Sequence, residues 1–251
     1  MRHADISIVI NHATLQYQQA TSPTLQDFSM AIPAKQWTVL LGRSGSGKTT
    51  LLRYLAGLLD QQVHWQGELQ VSGGQSLAGC IAYMAQQDLL LPWLTVEENV
   101  CQSYRLSGQV VTPAIKQKAQ QLLEQVRLSE HGQSLPQTLS GGMRQRVALA
   151  RTLMQDKPLV LMDEPFSALD AVTRHKLQTL SFDLLKDKTV VLITHDPQEA
   201  VRLADCLYIL KGSPAQAESI ALPESLPPRE LSAKAAAIQQ QIFQRLEDDY
   251  D

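Results

Sequence analysis

Cysteine is scarce in this 251-residue chain: Cys80, Cys101 and Cys206 are odd in number, far apart and without a C-x-x-C pair. That excludes a disulfide framework and fits reduced thiols in a cytosol-like compartment, serving as small buried hydrophobes. An excess of basic charge is missing as well. With 22 Lys+Arg against 25 Asp+Glu the formal net charge is -3, so bulk electrostatics recruit neither nucleic acid nor anionic lipid. Contact with a membrane would have to run through a specific partner. Apolar runs such as Val190 to Ile193 and Leu89 to Leu91 fall far short of the ~20 residues that a membrane helix requires. The opening MRHADISIVIN alternates like a strand and carries no basic stretch, apolar core and small-residue cleavage site, so no secretory signal is expected. Internal repeats and low-complexity tracts are absent too.

What remains is ordinary globular material, 44% hydrophobic and 19% charged, in which one α/β domain of this length buries roughly three quarters of its unfolded surface. Ile6, Ile8 and Ile10 alternate with polar neighbours, and Trp37 to Leu41 runs directly into Gly42. Both stretches read as strands. From Lys48 onward Leu51, Leu52, Leu55, Leu58 and Leu59 recur at helical spacing, so a glycine loop sits between a strand end and a helix N-terminus. Between Leu89 and Gln155 the pattern turns helical; Thr112 and Pro113 suit a cap and first turn ahead of Ile115, Ala119, Leu122, Leu123 and Val126. Strand character returns at Leu159 to Met162 and Thr189 to Thr194 around a helix carrying Leu177, Leu180, Leu184 and Leu185. That is βαβ alternation and predicts a mostly parallel sheet. Asp196, Pro197 and Glu199 start a short helix before the strand Cys206 to Leu210. After Pro223, Pro227 and Pro228, the spacing of Leu231, Ala235, Ile238, Ile242, Phe243 and Leu246 predicts an amphipathic helix. It either packs onto its own domain or meets a partner subunit.

Four segments carry the chemistry. GRSGSGKTT, from Gly42 through Arg43, Ser44, Gly45, Ser46, Gly47, Lys48 and Thr49 to Thr50, is a P-loop: glycines aim backbone N–H groups inward, Lys48 reaches the β- and γ-phosphates, and Thr49 can ligate magnesium. PLVLMDEP ends an apolar strand on two carboxylates, Asp163 placed for magnesium and Glu164 for orienting the attacking water. His195 closes VVLIT at another strand end, where it can bond a γ-phosphate oxygen or the water, and Gln86 follows the strand Cys80 to Met84, from which its amide can reach magnesium and water. LSGGMRQRVALAR places a Ser140 cap and two glycines before a helix, which is an anion site. Taken singly each has a bland alternative: a solvated acidic turn, a structural histidine, a capped helix with Arg144, Arg146 and Arg151 on a basic face. A second phosphate-sized site in a chain with one P-loop makes sense if two copies face each other head to tail.

With these segments in this order the chain resembles the ATP-binding cassette (ABC) family, whose distinguishing signature is LSGG. The resemblance covers nearly the whole length and implies a P-loop NTPase cassette of α/β class: a mixed, mostly parallel sheet core, antiparallel N-terminal strands and an inserted helical subdomain. On that pattern 1–88 and 157–222 form the nucleotide-binding core, 89–156 the helical subdomain and 223–251 a linker and C-terminal helix, all within one domain. The resemblance makes Tyr17 the aromatic that stacks on adenine and Gln86 the Q-loop residue. It likewise makes Ser140, Gly141, Gly142 and Met143 the signature, Ser167, Ala168, Leu169 and Asp170 the D-loop, and His195 the switch histidine. Met143 departs from the family's commoner glutamine and Arg43 from a frequent proline. MAQQDLLLPWLTVEENV (Met84 to Val100) resembles importers of nitrate, sulfonates, taurine and thiamine-pyrimidine precursors. There Leu89, Leu90, Leu91, Pro92 and Trp93 would form an exposed apolar patch receiving a membrane subunit; burial of Trp93 within the helical subdomain is the other reading.

The resemblance implies an ATP hydrolase using ATP and Mg2+, dimerising with a second copy of itself. It would work with integral membrane permease subunits and indirectly with an extracytoplasmic substrate-binding protein. No nucleic acid is involved, and the chain would lie peripherally on the cytoplasmic side of the cell membrane. A cassette ATPase of a lipid-extraction or export system, or of a soluble assembly complex, is the alternative.

Overall fold

The structure is a computed structural model and describes residues 5–249. Its centre is a six-stranded sheet in the order β5 (Ile81–Met84), β6 (Leu159–Asp163), β7 (Thr189–Thr194), β3 (Trp37–Gly42), β8 (Cys206–Lys211) and β9 (Gln216–Ile220). All neighbours run parallel except β8 and β9, a hairpin. Every residue of β3, β6 and β7 is buried, as expected of parallel strands covered on both faces.

The period-2 alternation of strands divides these residues between two cores. Val39, Leu41, Val160, Met162, Val190 and Leu192 face one side with Val147 and Leu149, whereas Leu40, Leu159, Leu161, Val191 and Ile193 face the other with Leu51 and Leu52. The second side is roofed by a three-stranded antiparallel sheet in the order β2 (Leu25–Ile32), β1 (Ile8–Tyr17) and β4 (Val63–Val71). Ile8 and Ile10 of β1 point inward, as alternation requires, and after a register shift Ala13 and Leu15 do so too.

Helix α1 (Lys48–Leu55) leaves the end of β3 and buries Leu51, Leu52 and Leu55. Between β5 and β6 lie α2 (Val96–Val100), α3 (Gln102–Leu106), α4 (Pro113–Gln125) and α5 (Gly141–Met154). Their starts are chemically marked. Thr95 and Glu98 form a reciprocal capping box, Thr112 caps α4 with Pro113 in its first turn, and the Ser140 hydroxyl accepts from Met143 N–H. Helix α6 (Ala171–Leu185) is capped by Asp170 and α7 (Pro197–Leu203) by Asp196. Among the described residues no helix is long and apolar enough to cross a membrane.

The α/β class, mostly parallel core and antiparallel N-terminal strands are present as the sequence implied, while β4 and β9 have no clear apolar signature. Both lie at sheet edges and show mixed burial, Val63 and Ile220 apart. The last helix, α8 (Ala233–Glu247), buries Ala235 and Ile242 and packs against α7. Leu231 precedes it and stays exposed, as does Phe243. The stripe expected from spacing is thus narrower than six residues. All three cysteines are free thiols, Cys101 buried and the other two half-buried.

Candidate active site

Lys48 emerges from the turn between β3 and α1. Gly47 there has φ 90 and Gly45 φ 84, a left-handed backbone that glycine adopts without strain. Gly42 is needed for a different reason: an added Cβ would lie 2.8 Å from the carbonyl oxygen of Leu210 on β8. The Lys48 ammonium is buried and donates to the Gly42 and Arg43 carbonyls at 2.7 Å each and to Ser46 Oγ at 3.3 Å. Desolvation pushes its pKa down, against the opposing pull of Glu164 and Asp163. A cation held in this way is fixed in place and ready for an anionic partner.

Asp163 ends β6 and is 6% exposed. Its Oδ1 accepts from Thr49 Oγ1 at 3.0 Å and its Oδ2 from Tyr83 Oη at 3.1 Å. Burial, with Asp163 adding to it, pushes the Tyr83 hydroxyl up to about 12, so it stays a donor at any ordinary pH. Tyr83 was not singled out by sequence reasoning; its signal is the alternation of β5, which turns Ala82 and Met84 into one core and Tyr83 toward β6's carboxylate.

Glu164 follows immediately but leaves the strand, with φ 46. A non-glycine residue in this region carries roughly 1–2 kcal/mol of strain. Three bonds hold its backbone: Glu164 N–H donates to the Ile193 carbonyl at 3.0 Å, and the Glu164 carbonyl accepts from Ser167 Oγ at 3.0 Å and Ser167 N–H at 3.3 Å. The turn carries the carboxylate to where Glu164 Oε2 lies 2.8 Å from His195 Nδ1 and accepts from Gln86 Nε2 at 3.2 Å. His195 is the more open of the pair, its side chain 60% exposed against 20% for Glu164. Three strand ends, of β5, β6 and β7, thus place an amide, a carboxylate and an imidazole on one oxygen.

Tyr17 lies at the end of β1, half-buried, with its Oη 3.4 Å from Thr50 Oγ1. Ser140 to Met143 belong to a different group of contacts. Ser140 and Gly141 are exposed at the start of α5, and Gly142 is pressed against α6, where a Cβ would meet Thr173 Cγ2 at 2.7 Å. Ser167, Ala168, Leu169 and Asp170 span the turn into α6, with Arg174 donating to the Leu169 carbonyl at 2.9 Å and contacting Asp196 at 3.4 Å.

The apolar segment after Gln86 is only partly exposed. Trp93 is 71% and Leu89 58% exposed, but Leu90 is 9% exposed and Leu91 half-buried. Leu90 therefore belongs to the core and not to the surface patch expected for all five residues, because α2 and α5 close over it. Leu89 has φ 47 and is held by α5: Arg151 donates to the Leu89 carbonyl at 2.8 Å and the Asp88 carbonyl at 2.5 Å, and Arg144 pairs with Asp88 at 3.0 Å. Gln145 adds a bond to the Gln86 carbonyl at 3.1 Å. Arg144 and Arg151 are thus a clamp on this segment, a role that spacing alone did not reveal, whereas Arg146 bonds to the Gly142 and Val126 carbonyls.

Comparison with known proteins bears on the same segments. The family described as ABC transporter matches residues 25–167, more than half of the chain. This chain belongs to that family. It is 41% identical to an uncharacterised ABC transporter ATP-binding protein of Haemophilus influenzae, over 98% of each chain. An aliphatic sulfonates import ATP-binding protein of Paracoccus denitrificans is 40% identical over 88% of this chain and 87% of its own. One of the same description from Bacillus subtilis is 35% identical over 96% and 94%. Among solved structures, an inward-facing conformation of a metal-chelate type ABC transporter aligns with TM-score 0.73 and 25% identity, covering 86% of this chain and 84% of that one. Membership makes this ABC protein an ATP-binding, ATP-hydrolysing transporter subunit.

Proposed function

We propose that this chain drives uptake of a small solute through a partner permease, and that the solute belongs to the sulfonate, taurine, nitrate or thiamine pyrimidine-precursor class. The named relatives import aliphatic sulfonates, and Leu89 and Trp93 give the chain an exposed apolar contact for the membrane subunit. It would then sit peripherally on the cytoplasmic face of the membrane.

The observation that carries the catalytic reading is the meeting of Gln86, Glu164 and His195 on one carboxylate oxygen. ATP would lie with its phosphates along Gly42–Thr50 and its adenine by Tyr17. Lys48 balances phosphate charge, while Glu164 orients the attacking water and accepts hydrogen bonding from it; His195 and Gln86 hold that carboxylate and reach the γ-phosphate. The oxygens of Thr49 and Asp163, 3.0 Å apart, suit a hard cation. One carboxylate beside one hydroxyl fits Mg2+ shared between them and substrate phosphates, with Gln86 at its edge. When bound, Mg2+ offsets charge on the β- and γ-oxygens.

One copy leaves the exposed Ser140–Gly141 helix start, and Val172 beside Asp170, without cover. A second copy placed head to tail would bring its signature Ser140 to Met143 onto the first copy's γ-phosphate, with the D-loop Ser167 to Asp170 at the seam. ATP then closes the pair, and hydrolysis releases it. The test is Glu164→Gln: it should bind ATP, form a stable dimer and hydrolyse at least ~100-fold more slowly, a typical loss for one positioned catalytic base. Turnover at the parent rate would remove Glu164 from that role.

A further inference from the structure

The position after Gly42 is free in the P-loop pattern, so what Arg43 does is a property of this chain. Its side chain meets a residue distant in sequence: Nη1 donates to the Asp249 carbonyl at 2.8 Å and Nε lies 3.3 Å from Asp249 Oδ2. Asp249 follows α8, more than two hundred residues later. Its other carboxylate oxygen accepts Gly212 N–H at 2.7 Å. Gly212, with φ 83, turns the chain directly after β8, and β8 pairs with β3 up to Gly42 opposite Leu210. The pair is shielded, with side-chain exposures of 29% and 9%.

The same Arg43 anchors the catalytic lysine, because its backbone carbonyl accepts from Lys48 at 2.7 Å and from Ser46 N–H at 3.3 Å. One residue thus joins the C-terminal end to the phosphate cradle. Helix α8 is itself tied to the same hairpin, since its Arg245 pairs with Glu218 of β9, a carboxylate that Lys211 of β8 also contacts. The bond from the Arg43 guanidinium to the Asp249 carbonyl is charge-assisted, and such bonds are stronger than neutral ones; the Asp249 carboxylate adds an ion pair beside it.

We propose that Asp249 is a positioning residue for the nucleotide loop: the C-terminal end of α8 holds the Arg43 side chain, and through the Arg43 backbone sets the carbonyl that orients Lys48. The role of α8 is then intramolecular, tuning ATP affinity from outside the motif. The proposal rests on the reading of Gly42–Thr50 as the ATP loop.

The test uses the full chain with Asp249→Ala, Arg43→Ala, the double substitution and Lys48→Ala as a control, measuring ATP dissociation constant, KM, kcat and thermal midpoint. Each single change should raise Kd and KM for ATP by about 3- to 10-fold with kcat within about twofold, the scale of losing one partly shielded charge-assisted contact. The double substitution should be no worse than Arg43→Ala alone, because Arg43→Ala removes both contacts whereas Asp249→Ala removes the ion pair and leaves the main-chain carbonyl that accepts from Nη1. Asp249→Asn, which keeps the size and the Gly212 contact but not the charge, should fall between parent and Asp249→Ala and serves if the alanine variant melts early. ATP affinity unchanged in Asp249→Ala and Arg43→Ala, effects that multiply in the double variant, or a fall in kcat at constant KM would each overturn the proposal. Parent-like ATP binding by Lys48→Ala would overturn the loop reading itself, a result distinct from failure of the link.

Discussion

Glu199 shows how burial shapes the segment that follows His195. It sits in the first turn of α7, three residues after the Asp196 cap and four after His195, and is 4% exposed. Oε1 accepts from Gln178 Nε2 of α6 at 2.7 Å, while Arg202 donates to Gln178 Oε1 at 3.0 Å and to Thr179 Oγ1 at 2.8 Å. The charged groups around it are Asp196, Arg174 and Arg202. Desolvation dominates and lifts the carboxyl to about 7, with Asp196 adding to the rise and Thr194, Gln178 and Arg174 opposing it. Between its ordinary 4.5 and about 7 the folded chain binds a proton that the unfolded chain has released. Stability therefore falls as pH rises through that window and is flat above it. The span of ~2.5 pH, at 1.36 kcal/mol per unit, corresponds to ~3 kcal/mol. Glu199→Gln mimics the neutral acid and lacks the titration. Urea unfolding of both proteins at pH 5, 6, 7 and 8 should find them within ~1 kcal/mol at pH 5 and the glutamine variant more stable by ~3 kcal/mol at pH 8. Parallel pH curves would refute the assignment of a buried, proton-binding Glu199.

Gly142→Val should force α5 from α6, given the 2.7 Å approach to Thr173; a loss of ~1–3 kcal/mol in urea melts is expected, along with loss of ATP-dependent dimer on gel filtration. Tyr83→Phe removes one donor from Asp163 and should cost ~1–3 kcal/mol of stability for the unsatisfied carboxylate oxygen, read by the same melts. Trp93→Ser should leave stability within ~0.5 kcal/mol, as for exposed positions generally, yet weaken association with membranes containing the permease in a flotation assay. Gly67→Ala, where φ is 105 and a Cβ would lie 2.7 Å from Ala13 Cα, should destabilise by at least ~1–3 kcal/mol because both strain and overlap act.

Legibility followed physical type. Strands β3, β6 and β7 were readable because burial on both faces writes a continuous apolar run, and helices α4 and α7 because their caps are local chemistry. Strands β4 and β9 were not, since each has one open face or edge and pairs through backbone groups that any sequence supplies. For the site, the positions of Lys48, Asp163, Glu164 and His195 at strand ends could be read; their mutual distances could not. Tyr83, Arg144 and Arg151 were missed as contributors because their partners lie tens of residues away. A side chain's role then depends on packing that no local pattern records. Leu90 failed for the reverse reason: five adjacent apolar residues look alike in sequence, and only the helices closing over them separate core from surface.

The strained turn at Glu164 explains why two adjacent acids can serve two purposes. Had β6 simply continued, Asp163 and Glu164 would point to opposite faces of the sheet, one toward Thr49 and the other into the apolar layer behind it. The left-handed residue breaks that alternation and swings Glu164 to the strand edge shared with Gln86 and His195. The bond from its N–H to Ile193 ties the turn to β7, so the conformation is fixed by the same strand that delivers His195. The carboxylate is held by two donors that follow the neighbouring strands β5 and β7. The segment after Gln86 continues into the exposed Leu89 and Trp93 and is gripped by Arg151 of the helix that starts at Ser140, so direct contacts join that surface to both the carboxylate and the helix.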